Sequence, residues 1–267
     1  MDRLRGRAIV RGGGTTQKDP LMTTRDRIVL ILGSGPNAVA ARQWARAPFT
    51  DIVAINNAWQ VREDWDYLIH PEDFPEDRHP VRFAPSQRRV TYREYVPVQN
   101  DYGGFVYAGG TMAFTAGYWA LGALRPRVLA FLGCDMVYTN KGDTHFYGKG
   151  EADPLRDDIT LQSLEAKAAR LFLLAAQQDC LCVNLSKDES RLVFPRATPA
   201  RLGALKADRW RDVDLSEAQT REAELAYFEE SGRYWQVRHR FDATELRRLD
   251  SLWLSTFEAT RHSPRGP

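Results

Sequence analysis

The chain is short of cysteine, of long hydrophobic runs and of any excess of one charge, and each shortage closes off a class of protein. Its three cysteines, Cys134, Cys180 and Cys182, are odd in number and too few for a disulfide framework. Cys180 and Cys182 lie in the apolar run Cys180-Leu181-Cys182-Val183 and read as small buried strand residues. Nothing at zinc spacing joins them, so no metal site is expected, and a reducing cytoplasm is the expected compartment. No apolar stretch approaches the ~18 residues that span a bilayer. The basic N-terminus has no apolar segment behind it, so it is not a secretory signal. Lys and Arg number 37 against 35 Asp and Glu, which gives no electrostatic case for a nucleic acid or a membrane surface.

What is there is the composition of a globular protein. Of 267 residues, 43% are hydrophobic and 27% charged, enough to bury a core without staples. Three regions are expected: a loose basic leader over residues 1–26, a Rossmann-like domain over 27–197, and a helical C-terminal region over 198–267. The leader reads as a solvated arm, with contact to a polyanion as the alternative.

Strand, helix and strand alternate through the middle region. The nearly continuous apolar run at 27–32 suits a parallel strand covered on both faces, and the run at 127–132 is a second such strand. Further strands are expected at 51–55, 66–69 and 180–184, with helices at 38–47, 112–124 and 158–178. Residues 72–101 carry four prolines, many charges and little periodicity, and read as an irregular excursion with a short strand near 88–91. The alternation predicts an α/β fold with a mostly parallel sheet and helices on both faces. In the C-terminal region, Ser216 with Gln219 and Asp242 with Glu245 have capping-box spacing. Leu246, Leu249, Trp253 and Phe257 make an apolar stripe that reads as packing, within the chain or between subunits of a homo-oligomer.

Ligands of open parallel sheets bind beyond the carboxyl ends of the strands. Strand one there ends at Gly33-Ser34-Gly35-Pro36-Asn37, the second at Asn56-Asn57, the third at His70, and the 127–132 strand just before Asp135. Gly33 and Gly35 either admit a phosphate to backbone N–H groups or make a tight turn; the third glycine of the dinucleotide fingerprint is missing. Asn56 and Asn57 either bind a ribose or base edge or form a turn. Asp135 could orient a sugar hydroxyl, hold a metal or cap the loop after it. The segment Thr144-His145-Phe146-Tyr147-Gly148-Lys149, with Tyr138 before it, brings an imidazole, two phenols and an ammonium to the same rim, as loops over phosphorylated substrates do. His79, His239 and His262 stand in charged, unpatterned text and read as surface residues.

GSGPN after the first strand, the Asn after the second, and GGTMAFTAGYWALG leading to GCDM, followed by THFYGKG and CLCVNLSKDES, resemble the bacterial lipooligosaccharide sialyltransferases. The resemblance covers roughly residues 27 to 197. It implies a Rossmann-like nucleotide domain, a CMP-sialic-acid type of nucleotide-sugar donor as substrate, a glycan or other hydroxyl acceptor, and no metal cofactor. It puts Gly33, Ser34, Gly35, Pro36, Asn37 and Asn56 near the nucleotide, with His70 at a further family Asn and Gly110-Thr111 at the nucleotide helix. Tyr138, or Tyr147, would steady the leaving phosphate. The family's general-base His position holds Lys149 here, so His145 is the imidazole left for that role. The same start and the GCDM element also resemble the motility-accessory-factor-like proteins, some of them pterin diphosphokinases. That alternative implies Mg²⁺ held by Asp135; a non-catalytic scaffold is the third expectation.

Overall fold

The computed structural model describes residues 26–138, 143–148 and 157–262. Six strands form one all-parallel sheet: β1 (Ile28–Leu32), β2 (Asp51–Ile55), β3 (Tyr67–Ile69), β4 (Arg88–Val90), β5 (Val128–Leu132) and β6 (Leu181–Asn184), in the order β4-β3-β2-β1-β5-β6. This is a Rossmann-like α/β fold. Every residue of β1 and β5 is buried, which is why both are unbroken apolar runs rather than alternating ones. The order reverses between β1 and β5, which pair in register from Ile28 with Val128 to Leu32 with Leu132.

Among the described residues six α-helices accompany the sheet: α1 (Tyr92–Asn100), α2 (Phe105–Ala108), α3 (Met112–Trp119), α4 (Leu164–Gln177), α5 (Ser216–Leu225) and α6 (Ala243–His262). Helix α3 lies against β1 and β2 and α4 against β6; α1 packs on α3 and α6 on α4. Helix α3 runs on through a wider turn at Ala120–Leu124, so the segment expected at 112–124 is one continuous rod. The stripe Leu246, Leu249, Trp253 and Phe257 is buried, with Phe257 edge-on to Phe172 of α4 at 5.2 Å.

Four expectations need correction. The stretch after β1 is a 3₁₀ helix at Pro36–Gln43, earlier and tighter than the helix expected at 38–47; Pro36 in its first turn sets the start. Residues 72–101 are not irregular throughout, because α1 fills their last third. The Thr91–Glu94 capping box begins it, and Pro97 inside it hid its period. Helix α4 starts at Leu164 rather than 158, since Ser163 accepts from the Ala166 N–H and caps it. Ser216 is no N-cap: Asp214 accepts from its N–H, whereas Asp242 does cap α6, accepting from Thr244 and Glu245.

Buried ion pairs tie the C-terminal helices to α4. Lys167 meets Asp250 at 2.8 Å with both side chains almost fully covered. Arg170 grips Glu222 through two hydrogen bonds of 2.7 Å, reaches the Tyr118 hydroxyl at 2.8 Å, and lies over the Trp253 ring. Trp253 donates its indole N–H to the same Glu222. No helix among the described residues is long and apolar enough to cross a membrane.

Candidate functional site

A cleft of about 910 Å³ opens beyond the carboxyl ends of β1, β2, β3 and β5. It straddles the point where the strand order reverses, the place where open α/β sheets take their ligands. Its wall is built from the turns that follow those strands: residues 33–36 after β1, Asn56 and Asn57 after β2, Pro71, Asp73, Phe74, Pro75 and Arg78 after β3, and 133–138 after β5. The first residues of α3 and the turn at 144–147 complete it.

The two glycines after β1 serve close approach. Gly33 donates its N–H to Leu132 O and Gly35 to Gly133 O, each at 2.8 Å. A Cβ on Gly33 would stand 2.3 Å from the Gly133 carbonyl oxygen. Gly133 itself has φ +70, and a Cβ there would strike Gly33 O at 2.8 Å. Both N–H groups are therefore spent on joining β1 to β5, and the tight-turn reading is the one the geometry gives. Met112 and Ala113 at the start of α3 also line the cleft, and the first N–H groups of a helix have no partner inside it. Thr111 fixes that end: its hydroxyl accepts from the Phe114 N–H at 3.3 Å and points to the Met136 sulfur at 3.8 Å. Gly110 lies one step back, its N–H donated to the buried Thr160 hydroxyl.

Asn37 and Asp135 form a clasp. The Asn37 amide donates to Asp135 Oδ2 at 2.6 Å, with Ser186 and Asp188 oxygens at 2.8 and 2.9 Å. Asn184 at the end of β6 donates to the other Asp135 oxygen at 3.0 Å. Asp135 lines the cleft and Asn37 does not. The carboxylate thus binds the ends of β1, β5 and β6 together, a role in which both of its oxygens are engaged.

Asn56 has φ +52, left-handed backbone that asparagine tolerates, and its Oδ1 is buried with no hydrogen-bond partner among the described residues. Met136, also on the wall, has φ +54. Of the described non-glycine residues with positive φ, these two line the cleft, whereas Arg125, Asp179 and Ala226 do not.

His145, Tyr138 and Tyr147 come together on the wall. His145 and Gly148 exchange backbone hydrogen bonds at 3.0 Å to close a tight turn, and the Phe146 N–H docks it on Ser34 O at 3.0 Å. The Thr144 hydroxyl sits 2.9 Å from His145 Nδ1. Burial holds the imidazole below its ordinary pKa, so it is neutral and able to accept a proton near pH 7. Lys149 lies outside the described residues.

His70 does not line the cleft. It is 8% exposed, donates Nδ1–H to Pro71 O at 2.8 Å, and packs against Phe74 and His79. His79 is no lone surface residue: its ring lies 4.6 Å from that of His70. Its apolar partner Phe74 could be placed only once the loop was folded. His239 is exposed as expected, and the side chain of His262 lies outside the described residues. Sequence reasoning missed Arg78 as a cation on the cleft. Asn57, named at the end of the second strand, is almost fully buried, and the Gly110-Thr111 element stands directly before the helix whose first residues line the cleft. Burial raises the pKa of all three cysteines, as inert structural thiols require. No family model, no curated protein and no solved structure matches the chain, so the case for this cleft rests on its own residues.

Proposed function

We propose that this chain is a transferase that takes a nucleotide-activated sugar as donor and the hydroxyl of a glycan or similar acceptor as nucleophile. The observation that carries the reading is the 910 Å³ cleft at the strand-order reversal, with a neutral histidine on its wall. The donor phosphate lies against the N–H groups at the start of α3, where the helix dipole favours negative charge. Asn56 Oδ1, an acceptor with no partner among the described residues, takes a donor hydrogen of the base or ribose. His145 Nε2 removes the proton of the acceptor hydroxyl as its oxygen bonds to the sugar's anomeric carbon. The bond from that carbon to phosphate breaks, and the nucleotide leaves with the negative charge. Tyr138 steadies that charge. No metal ion enters these steps.

Diphosphoryl transfer would ask Asp135 to hold Mg²⁺. Its two oxygens already accept amide hydrogens from Asn37 and Asn184, which favours the sugar-transfer reading over it.

The test is thermal unfolding against CMP, CDP, UDP, GDP, ADP and ATP, each with Mg²⁺ and with EDTA. A ligand at a hundredfold excess over its Kd stabilises the folded state by about 2.7 kcal/mol. A shift with a pyrimidine nucleotide that survives EDTA is expected. A shift seen only with ATP and Mg²⁺ turns the assignment to diphosphoryl transfer, and no shift with any nucleotide removes the enzyme reading.

A further inference from the structure

We infer that Tyr138, His145 and Tyr147 form an aromatic ladder whose open end, the free face of Tyr147, is the platform on which a pyranose ring of the acceptor stacks. This rests on the reading of the cleft as a sugar-transfer site and names the place of its second substrate.

The ladder is ordered from inside to outside. The Tyr138 and His145 rings stand 6.3 Å apart and tilted by 37°, and the His145 and Tyr147 rings are stacked at 5.0 Å and 26°. Phe146 meets Tyr147 edge-on at 5.1 Å and 87°. One face of Tyr147 is therefore covered by the imidazole and an edge by Phe146, yet 42% of the residue remains exposed on the cleft. A large ring held at the rim with one face open is a binding surface already paid for in ordering. The turn beneath it is fixed by the reciprocal His145–Gly148 hydrogen bonds and by the Phe146 bond to Ser34 O, and Phe146 packs against the core. Such a platform loses little freedom when a ligand arrives.

Two ligand classes stack on a tyrosine: a nucleobase and a sugar. A nucleobase also needs polar partners in its own plane, and the side-chain amides of this cleft, Asn56, Asn57 and Gln60, belong to the segment after β2. The ring contacts of Tyr147 are with His145 on its covered face and Phe146 at its edge, which leaves stacking as what its other face offers. The electron-rich face of a phenol suits the polarised C–H bonds on the apolar side of a pyranose. The open face of Tyr147 is the one turned away from His145, so the pyranose resting there is a unit of the acceptor other than the one whose hydroxyl gives up its proton. Tyr147 is then a substrate-binding residue, and the steadying of phosphate falls to Tyr138.

Saturation-transfer difference NMR with methyl β-D-galactopyranoside tests this, since one face of that sugar gathers its C–H bonds. Wild-type protein is expected to transfer saturation to the protons of that face. The affinity should fall about three- to tenfold in Tyr147→Ala, the size of an aromatic stacking contact. Tyr147→Phe and Tyr147→Trp should keep it, which guards against a variant that merely unsettles the turn, and the nucleotide-induced thermal shift should be unchanged in all three. Binding that Tyr147→Ala leaves intact, or loss in Tyr147→Trp equal to that in Tyr147→Ala, overturns the platform. A wild type that binds nucleotide but no pyranoside overturns the platform and leaves the donor site standing. Pyranoside binding lost in Tyr147→Ala, with no nucleotide bound by any form, keeps the platform and removes the transferase reading.

Discussion

At the scale of single residues, the cleft depends on atoms that have no room to change. Gly33 and Gly133 approach so closely that a methyl group on either meets the other's carbonyl oxygen. Gly33→Ala should therefore destabilise the fold by about 1–3 kcal/mol, the cost of forcing atoms into a full space, read as a lower urea midpoint. His145→Ala acts on chemistry instead. General-base catalysis contributes roughly 10²–10⁴-fold, so turnover should fall by that order while the thermal shift with nucleotide persists; loss of that shift would make His145 a ligand contact and not the base. Burial lowers the pKa of both His70 and His145 below the ordinary 6.5, and for His70 the neighbouring His79 and Arg89 lower it further. Above pH 6.5 both rings are neutral in the folded and unfolded chain, and nothing is lost. Below it the unfolded chain binds protons first, so stability falls as pH drops from 6.5 toward the folded values. Melting temperatures from pH 8 to pH 5 should show this loss, and His70→Phe, which removes one titrating ring, should flatten it. An equal slope in that variant would sink the assignment to His70.

At the scale of elements, α4 and α6 are joined through a charge pair that neither can lose alone. Lys167 and Asp250 are both buried, and the second Asp250 oxygen has no hydrogen-bond partner among the described residues. Lys167→Met should cost about 3–5 kcal/mol because it strands a carboxylate in the core. The double change Lys167→Met with Asp250→Leu should recover most of that loss, and a double variant as unstable as the single one would show that packing, not charge, decides. Nothing in the sequence announced this pair, since two residues 83 positions apart become neighbours only through the packing of their helices. The strands were legible for the opposite reason. β1 and β5 are covered on both faces, so their burial is written as continuous apolar runs. The α1 helix was hidden by Pro97, although its Thr91–Glu94 box was there to be read. The residues of the cleft were legible as positions at strand ends, but their roles were not. Gly35 and Asn37 look like ligand contacts in a row of letters, and three dimensions show their polar groups tied to Gly133 and Asp135.

At the scale of the whole molecule, the C-terminal helices share the core of the sheet domain. Arg170 of α4 is almost fully covered, and its carboxylate partner Glu222 and the Trp253 ring it lies against both come from beyond residue 200. A chain cut after residue 197 would expose that guanidinium beside Phe172 and the rest of the α4 face. It is expected to aggregate on expression, and a soluble, cooperatively melting fragment would show that the sheet stands without those helices. The pairing of β1 with β5 also sets a timetable. A ribosome finishing β2 at Ile55 has about 77 residues still to add before Leu132 completes β5, which at 5–20 residues per second takes about 4–15 s. Through that interval the side of β1 that will meet β5 has no strand to bond. The nascent chain therefore passes through a stage in which its most apolar strand is half-paired, and a chaperone that shelters such edges would find its opportunity there.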